Sequence, residues 1–185
     1  MSIVEILTEI RKTNVTNTIH KEPYDDISPT RSELSQVGRS ILITGGGTGA
    51  GFAMAQAFIR ASASTIIIVG RRTEVLDSAR LKLEDEVKSL GTGARIIARP
   101  CDGTKASDID ALWQYLSDEN IFVDVYIANA AKFTEPVPMM ELGSEEVWSQ
   151  IETNVWSPLY FTEKFCKQPG DKQKVSDYFP PVEDS

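Results

Sequence analysis

The chain of 185 residues predicts an α/β fold, a parallel sheet covered by helices on both faces. Three observations point there. The runs "SILIT" at 40–44 and "TIIIV" at 65–69 are rich in β-branched residues and almost wholly apolar, as strands buried on both faces are. Between such runs lie stretches whose apolar residues recur at helical spacing. The first strand delivers its chain into "GGGTGAG" at 45–51, a glycine-rich turn at a helix start.

The elements follow in order. Ile3, Ile6, Leu7 and Ile10 have the spacing of a short amphipathic helix over 2–12. Glu5 and Glu9 interrupt it, so it lacks the apolar core of a signal peptide and reads as a docked or frayed arm. Residues 13–38, with Pro23, Pro29 and Gly38, form an irregular lead-in. A strand at 40–44 is followed by a helix over 51–61 and a strand at 65–69. The next helix spans 73–90, with Leu76, Ala79, Leu83, Val87 and Leu90 on one face and Gly91 placed to end it. A third strand is expected at 94–98. Ser107 is the expected cap of a helix carrying Ile109, Leu112 and Leu116, with Asp110 at the capping-box position. A fourth strand at 123–128 leads through a loop with Pro136 and Pro138 to a helix from Ser144 through Val147, Ile151 and Val155 to Cys166. Residues 167–185 are charged, carry Pro169, Pro180 and Pro181, and read as a disordered tail. The chain thus divides into an arm (1–37), a domain (38–166) and a tail (167–185).

Composition narrows the function. A balance of 27 acidic against 19 basic residues, net charge −8, argues against a nucleic-acid partner, which needs clustered Lys and Arg. Arg71-Arg72 is too small for a groove and large enough for one phosphate. Cys101 and Cys166, the two cysteines, make neither a disulfide framework nor a zinc pattern and read as reduced thiols of a cytoplasmic protein. With His20 the one histidine, no multi-histidine metal site can form, and no metal is expected. No apolar run approaches the roughly 20 residues that span a bilayer, so no membrane partner is expected.

A strand running into glycine-rich backbone at a helix start builds an anion site: free N–H groups and the helix dipole point at the ligand, and missing side chains let a pyrophosphate approach. Gly45, Gly47 and Ala50 satisfy the generic dinucleotide pattern. A more telling register, T-G-x-x-x-G-x-G, is filled by Thr44, Gly45, Gly49 and Gly51, with Thr48 and Ala50 between them. This resembles the cofactor loop of the short-chain dehydrogenases/reductases. Further matches follow in that family's order: "GRR" at 70–72, Asp102 after the third strand, "ANAA" at 128–131 with Asn129, and Asn154 in the last helix. The lead-in "HKEPYDDISPTRSEL" resembles that of a fungal subgroup. The resemblance covers about 38–166 and implies a Rossmann-like doubly wound sheet and an oxidoreductase acting on a carbonyl or alcohol substrate. It implies that Asp102 contacts the adenine and that the Asn154 carbonyl holds a water in a proton relay. Pro158, four residues on, has no N–H to give that carbonyl, which fits the relay and equally fits a proline kink. Twenty residues beyond Gly51, where an acidic residue would bond the ribose 2′-hydroxyl of NAD, stands Arg71. Arg71 and Arg72 suit a 2′-phosphate, so NADP is expected over NAD.

The resemblance stops near Cys166. The family continues with a strand bearing a catalytic Ser and then Y-x-x-x-K. Tyr160 and Lys164 have that interval, but they follow Asn154 on the same helix with no strand between, and the match reads as chance. The chain is therefore expected to hold about four strands in the order 3-2-1-4, truncated relative to the family, with the catalytic Ser, Tyr and Lys unmatched. The helix over 144–166 then loses neighbours and exposes an apolar face suited to self-association. Alternatives are a non-catalytic nucleotide-binding remnant, a regulatory or interaction partner of a full-length relative, or the product of a misread gene end.

Overall fold

A computed structural model describes residues 3–11 and 24–169. In chain order the elements are α1 (Ile3–Arg11), β1 (Ser40–Thr44), α2 (Gly49–Arg60), β2 (Thr65–Gly70), α3 (Thr73–Leu90), β3 (Arg95–Pro100), α4 (Ala106–Asp118), β4 (Val125–Ile127), α5 (Met139–Leu142), α6 (Ser144–Ile151) and α7 (Ser157–Cys166). A π-helical turn, Glu152–Trp156, joins α6 to α7. The lead-in holds two single 3₁₀ turns, Asp25–Ile27 and Ser32–Leu34. Residues 12–23 and 170–185 lie outside the described residues, and with them most of the expected tail.

The four strands are parallel and ordered β3-β2-β1-β4, as expected. Alternation along each strand divides the core. Ile41, Ile43, Ile66 and Ile68 face α2 and α3, meeting Ala55, Ile59, Leu76, Ala79 and Leu83. Leu42, Ile67 and Val69 face the other way, against Ile109, Leu112 and Leu116 of α4 and Phe161 of α7. Gly91 ends α3 with φ +65°, a left-handed value that costs glycine nothing, and donates its N–H to the Val87 carbonyl. One member of the expected α3 face departs: Leu90, in the last turn, is exposed.

Several boundaries move for local reasons. Helix α2 starts at Gly49, two residues before the expected start, because Gly49 at φ +55° turns the chain directly into the helix. Strand β3 runs on to Pro100, which an edge strand tolerates because its N–H would have no ladder partner on that side. Ser107 is not the cap of α4. The Lys105 N–H closes a turn onto the Asp102 carbonyl, the helix begins at Ala106, and Lys105 takes the cap position. Asp110 reaches across to α7 instead. The ordered domain also continues past Cys166: Gln168 is 8% exposed, accepting the Val123 N–H (2.8 Å) and donating to the Val123 carbonyl (3.1 Å). Its amide thereby pairs with the backbone two residues before β4.

Candidate dinucleotide site

The C-terminal ends of β1, β2, β3 and β4 converge on one cleft, the place where open α/β sheets bind ligands. Thr44 ends β1 almost fully buried. Its hydroxyl accepts the N–H groups of Asn129 (3.0 Å) and Ala130 (3.1 Å) and donates to the Ile127 carbonyl (3.3 Å). The Asn129 amide answers by donating to the carbonyls of Thr44 (2.9 Å) and Gly45 (3.3 Å). On the other side Gly45 N–H donates to the Val69 carbonyl (2.8 Å). The loop is thus bolted to both neighbouring strands. Its glycines fit that closeness. A Cβ on Gly51 would lie 2.4 Å from the Gly45 carbonyl oxygen, and one on Gly46 would lie 2.6 Å from Ile68 Cγ2.

Thr48 caps α2 by position, but its side chain makes no cap hydrogen bond. The N–H groups of the first turn have no acceptors within the helix, and they lie at the positive end of its dipole, next in the chain to the lining residues Gly47 and Thr48. A cavity of about 360 Å³ opens there. Of the residues expected from the sequence, Thr44, Gly45, Gly47, Thr48, Arg71, Arg72, Asp102 and Asn129 line it. Gly49, Ala50 and Gly51 form the helix's first turn rather than the wall. Arg71 and Arg72 are exposed at the mouth, and among the described residues neither takes part in a salt bridge.

Asp102 sits opposite. Its Oδ1 accepts the N–H (3.1 Å) and hydroxyl (2.8 Å) of Thr104. Partial burial pushes its pKa up, but the bonds from Thr104 and the charges of Lys105 and Arg71 outweigh that and hold the carboxyl below its ordinary value. The neighbouring Cys101 thiol goes the other way. Burial, then the charges of Asp108 and Asp102, push it up to about 12, so it lines the pocket as a neutral group. Both cysteines are free thiols.

Asn154 does not line the pocket. Its side chain accepts the Lys132 N–H (2.8 Å) and donates to the Lys132 carbonyl (2.6 Å), pinning the loop after β4 to the helix. The π turn sends the Ser157 N–H to the Glu152 carbonyl, and Pro158 offers no N–H to the carbonyls of Thr153 or Asn154. Tyr160 and Lys164 stand elsewhere. The Tyr160 hydroxyl donates to Asp110 Oδ1 (2.9 Å), Lys164 Nζ is 2.5 Å from the same oxygen, and neither residue lines the pocket.

Sequence reasoning missed Thr104, Gly103, Thr153, Ser157 and Phe133, all of which line the cavity. For Thr104 a signal existed, because Asp-x-Thr is a turn in which the carboxylate caps the backbone two residues on. Nothing local in the sequence marks Ser157, which reaches the pocket only through the packing of α7 on the sheet.

Comparison with known proteins agrees with this geometry. The family model described as short chain dehydrogenase matches residues 39–174. The short chain dehydrogenase/reductase AacuD of Aspergillus aculeatus is 27% identical over 150 residues, covering 81% of this chain and 50% of that protein. The short chain dehydrogenase/reductase dpfgG of Gibberella zeae is 30% identical over 135 residues, 72% of this chain and 47% of its own length. This chain spans about half the length of the curated relatives it matches. Among solved structures, L-sorbose reductase from Gluconobacter frateurii, complexed with NADPH and L-sorbose, superposes with a TM-score of 0.63 at 22% identity, covering 71% of this chain and 47% of that one. The loop, the strand order and the family match agree: the chain belongs to the short-chain dehydrogenase family of oxidoreductases.

Proposed function

We propose that the pocket binds NADP(H) in preference to NAD(H), and that the chain is the cofactor-binding part of a short-chain oxidoreductase whose substrate is a carbonyl or an alcohol. The observation that carries this reading is one cavity lined by the glycine loop and by Arg71 and Arg72. The residues fit the ligand. Gly49 is open, with nothing within 4 Å of a Cβ built on it, and the first-turn N–H groups of α2 are unclaimed. In this reading those N–H groups hold the pyrophosphate, Asp102 meets the adenine and the arginine pair meets the 2′-phosphate. The bound dinucleotide supplies or accepts the hydride. Asn154 fixes the loop after β4, and its carbonyl is the proposed water site of a proton relay. The free thiols fit a reducing, cytoplasmic setting.

For the chain as it stands we propose binding without turnover. Among the described residues no tyrosine lines the pocket, and Tyr160 and Lys164 are engaged by Asp110. This favours a nucleotide-binding or regulatory role as the second reading. Purified protein should change NADPH fluorescence on binding and leave NADPH unconsumed across a panel of aldehydes and ketones, and Tyr160→Phe should bind NADPH as the parent does. Carbonyl reduction abolished by Tyr160→Phe would overturn this assignment.

The proposed protein partner is a second copy. Trp148, Ile151, Val155 and Leu159 make an exposed stripe along α6, the π turn and α7, with exposures of 40–66%. A closed dimer needs a patch that complements itself. Run antiparallel about the π turn, the stripe sets Trp148 against the Leu159 of the other copy and Val155 against Glu152 and Ile151, so the large ring meets a smaller side chain and no two carboxylates face each other. Sedimentation velocity should show a dimer for the parent and a monomer for Trp148→Glu with Leu159→Glu. A monomeric parent would contradict it.

A further inference from the structure

A second cavity, of about 570 Å³, shares no residue with the dinucleotide pocket and lies between α4, the turn after it and the end of α7. Trp113, Leu116, Ile121 and Phe122 line it, which makes it a groove of aromatic and aliphatic side chains. The Trp113 indole Nε1 is buried and has no hydrogen-bond partner among the described residues. An indole nitrogen can only donate, and a buried donor calls for an acceptor. The lining also carries Lys164 and Lys167 against one acid, Asp110. The chain itself leads to this groove. Gln168 is tied to the Val123 backbone, and the next residue, Pro169, is part of the groove's wall.

We propose that residues 178–182 of this chain, "YFPPV", dock in the groove as a polyproline II strand, one of its carbonyls accepting the Trp113 indole N–H. The segment belongs to this chain in particular, because the family match ends at residue 174. Pro180 and Pro181 fix their own φ and hold the residues before them extended, so little order is left to impose on binding. Polyproline II carbonyls have no internal partners, and the prolines bring no N–H into the groove. An acceptor-rich strand of rings thus meets a groove of rings with a spare donor, as when proline-rich segments dock on aromatic-lined grooves. Charge agrees: from residue 175 on the chain carries Asp177, Glu183 and Asp184 and no Lys or Arg. Reach agrees as well. Tyr178 stands nine residues after Pro169, and nine residues span up to about 30 Å. A tether this short holds the segment at an effective concentration on the order of millimolar, so weak contacts suffice.

The test is NMR of the full chain labelled with nitrogen-15. Trp113→Phe identifies the Trp113 indole resonance among those of the three tryptophans. In the parent, the Trp113 ring should show nuclear Overhauser contacts to the rings of Pro180 and Pro181. Replacing Phe179, Pro180 and Pro181 together by glycine should remove those contacts. It should also speed solvent exchange of the indole N–H by about fivefold or more, the factor that corresponds to one neutral hydrogen bond. Trp113→Phe keeps the groove apolar and removes the donor, so it should speed exchange of the Tyr178, Phe179 and Val182 amides. A parent without contacts between 178–182 and the groove would overturn the proposal. So would an indole N–H that exchanges equally fast in the parent and the triple-glycine variant. Contacts that fade as the protein is diluted would assign the groove to the tail of another copy and overturn it too. Thermal melts of both variants identify any faster exchange that comes from unfolding.

Discussion

Gly51→Ala is expected to weaken NADPH binding at least about tenfold and to lower stability, despite placing a better helix former in α2. Two effects oppose. Alanine in place of glycine inside a helix gains about 1 kcal/mol. Against that, the new Cβ would lie 2.4 Å from the Gly45 carbonyl oxygen and 2.6 Å from the Asn129 amide nitrogen. Overpacking of this kind typically costs about 1–3 kcal/mol, and here the nearer obstacle is backbone, which cannot rotate away. The clash wins. Relief requires the loop to move off α2, which breaks the bonds from Asn129 to Thr44 and Gly45 and displaces the N–H groups assigned to the pyrophosphate. Gly91→Ala is the control. It stands at φ +65° with open space around it, far along the chain from the loop, so it should cost about 1 kcal/mol of stability and leave NADPH affinity unchanged. Urea melts and NADPH titrations of both variants check the pair of outcomes. Full NADPH affinity in Gly51→Ala would contradict the assignment of the loop.

Replacing both Arg71 and Arg72 by alanine is expected to reduce NADPH affinity about 10- to 100-fold and to leave NADH affinity nearly unchanged. The range reflects exposure. A buried, bidentate guanidinium–phosphate contact would give the larger figure, but both side chains sit at the cavity mouth and water screens them. For the same reason NADPH binding by the parent should weaken as salt rises, and that dependence should flatten in the double variant. The single variants separate the two. The charge of Arg71 is the last and smallest of the influences on Asp102, so Arg71→Ala is expected to act through the phosphate side. Parallel loss of NADPH and NADH affinity in the double variant would contradict a 2′-phosphate role.

Much of the fold is legible in the sequence because local and global signals coincide. "SILIT" and "TIIIV" are apolar on both faces, and the structure buries them between two helical layers. Thr44, Gly45 and Asn129, each singled out from the sequence, come together in the structure because each answers a backbone requirement rather than a distant side chain. The misses have a common cause. Ser107 has the chemistry of a cap, yet the turn closed by Lys105 starts α4 earlier, and Asp110 finds Lys164 and Tyr160 on an element 50 residues away. Gln168 reads as tail by its charged and proline-rich company, and the three-dimensional closeness of Val123, just before β4, gives its amide a partner 45 residues away. Thr153 reaches the cavity from within the π turn, a feature that no periodicity announces, and Ser157 from the first residue of α7, which is packed on the sheet.

The central claim is that this half-length chain holds a working NADP(H) pocket. It is tested most directly by calorimetric titration of the purified protein with NADPH and, in parallel, with NADH. Saturable binding of one dinucleotide per chain, tighter for NADPH than for NADH, is the predicted result. No heat of binding with either dinucleotide, from protein shown by circular dichroism to be folded, would contradict it.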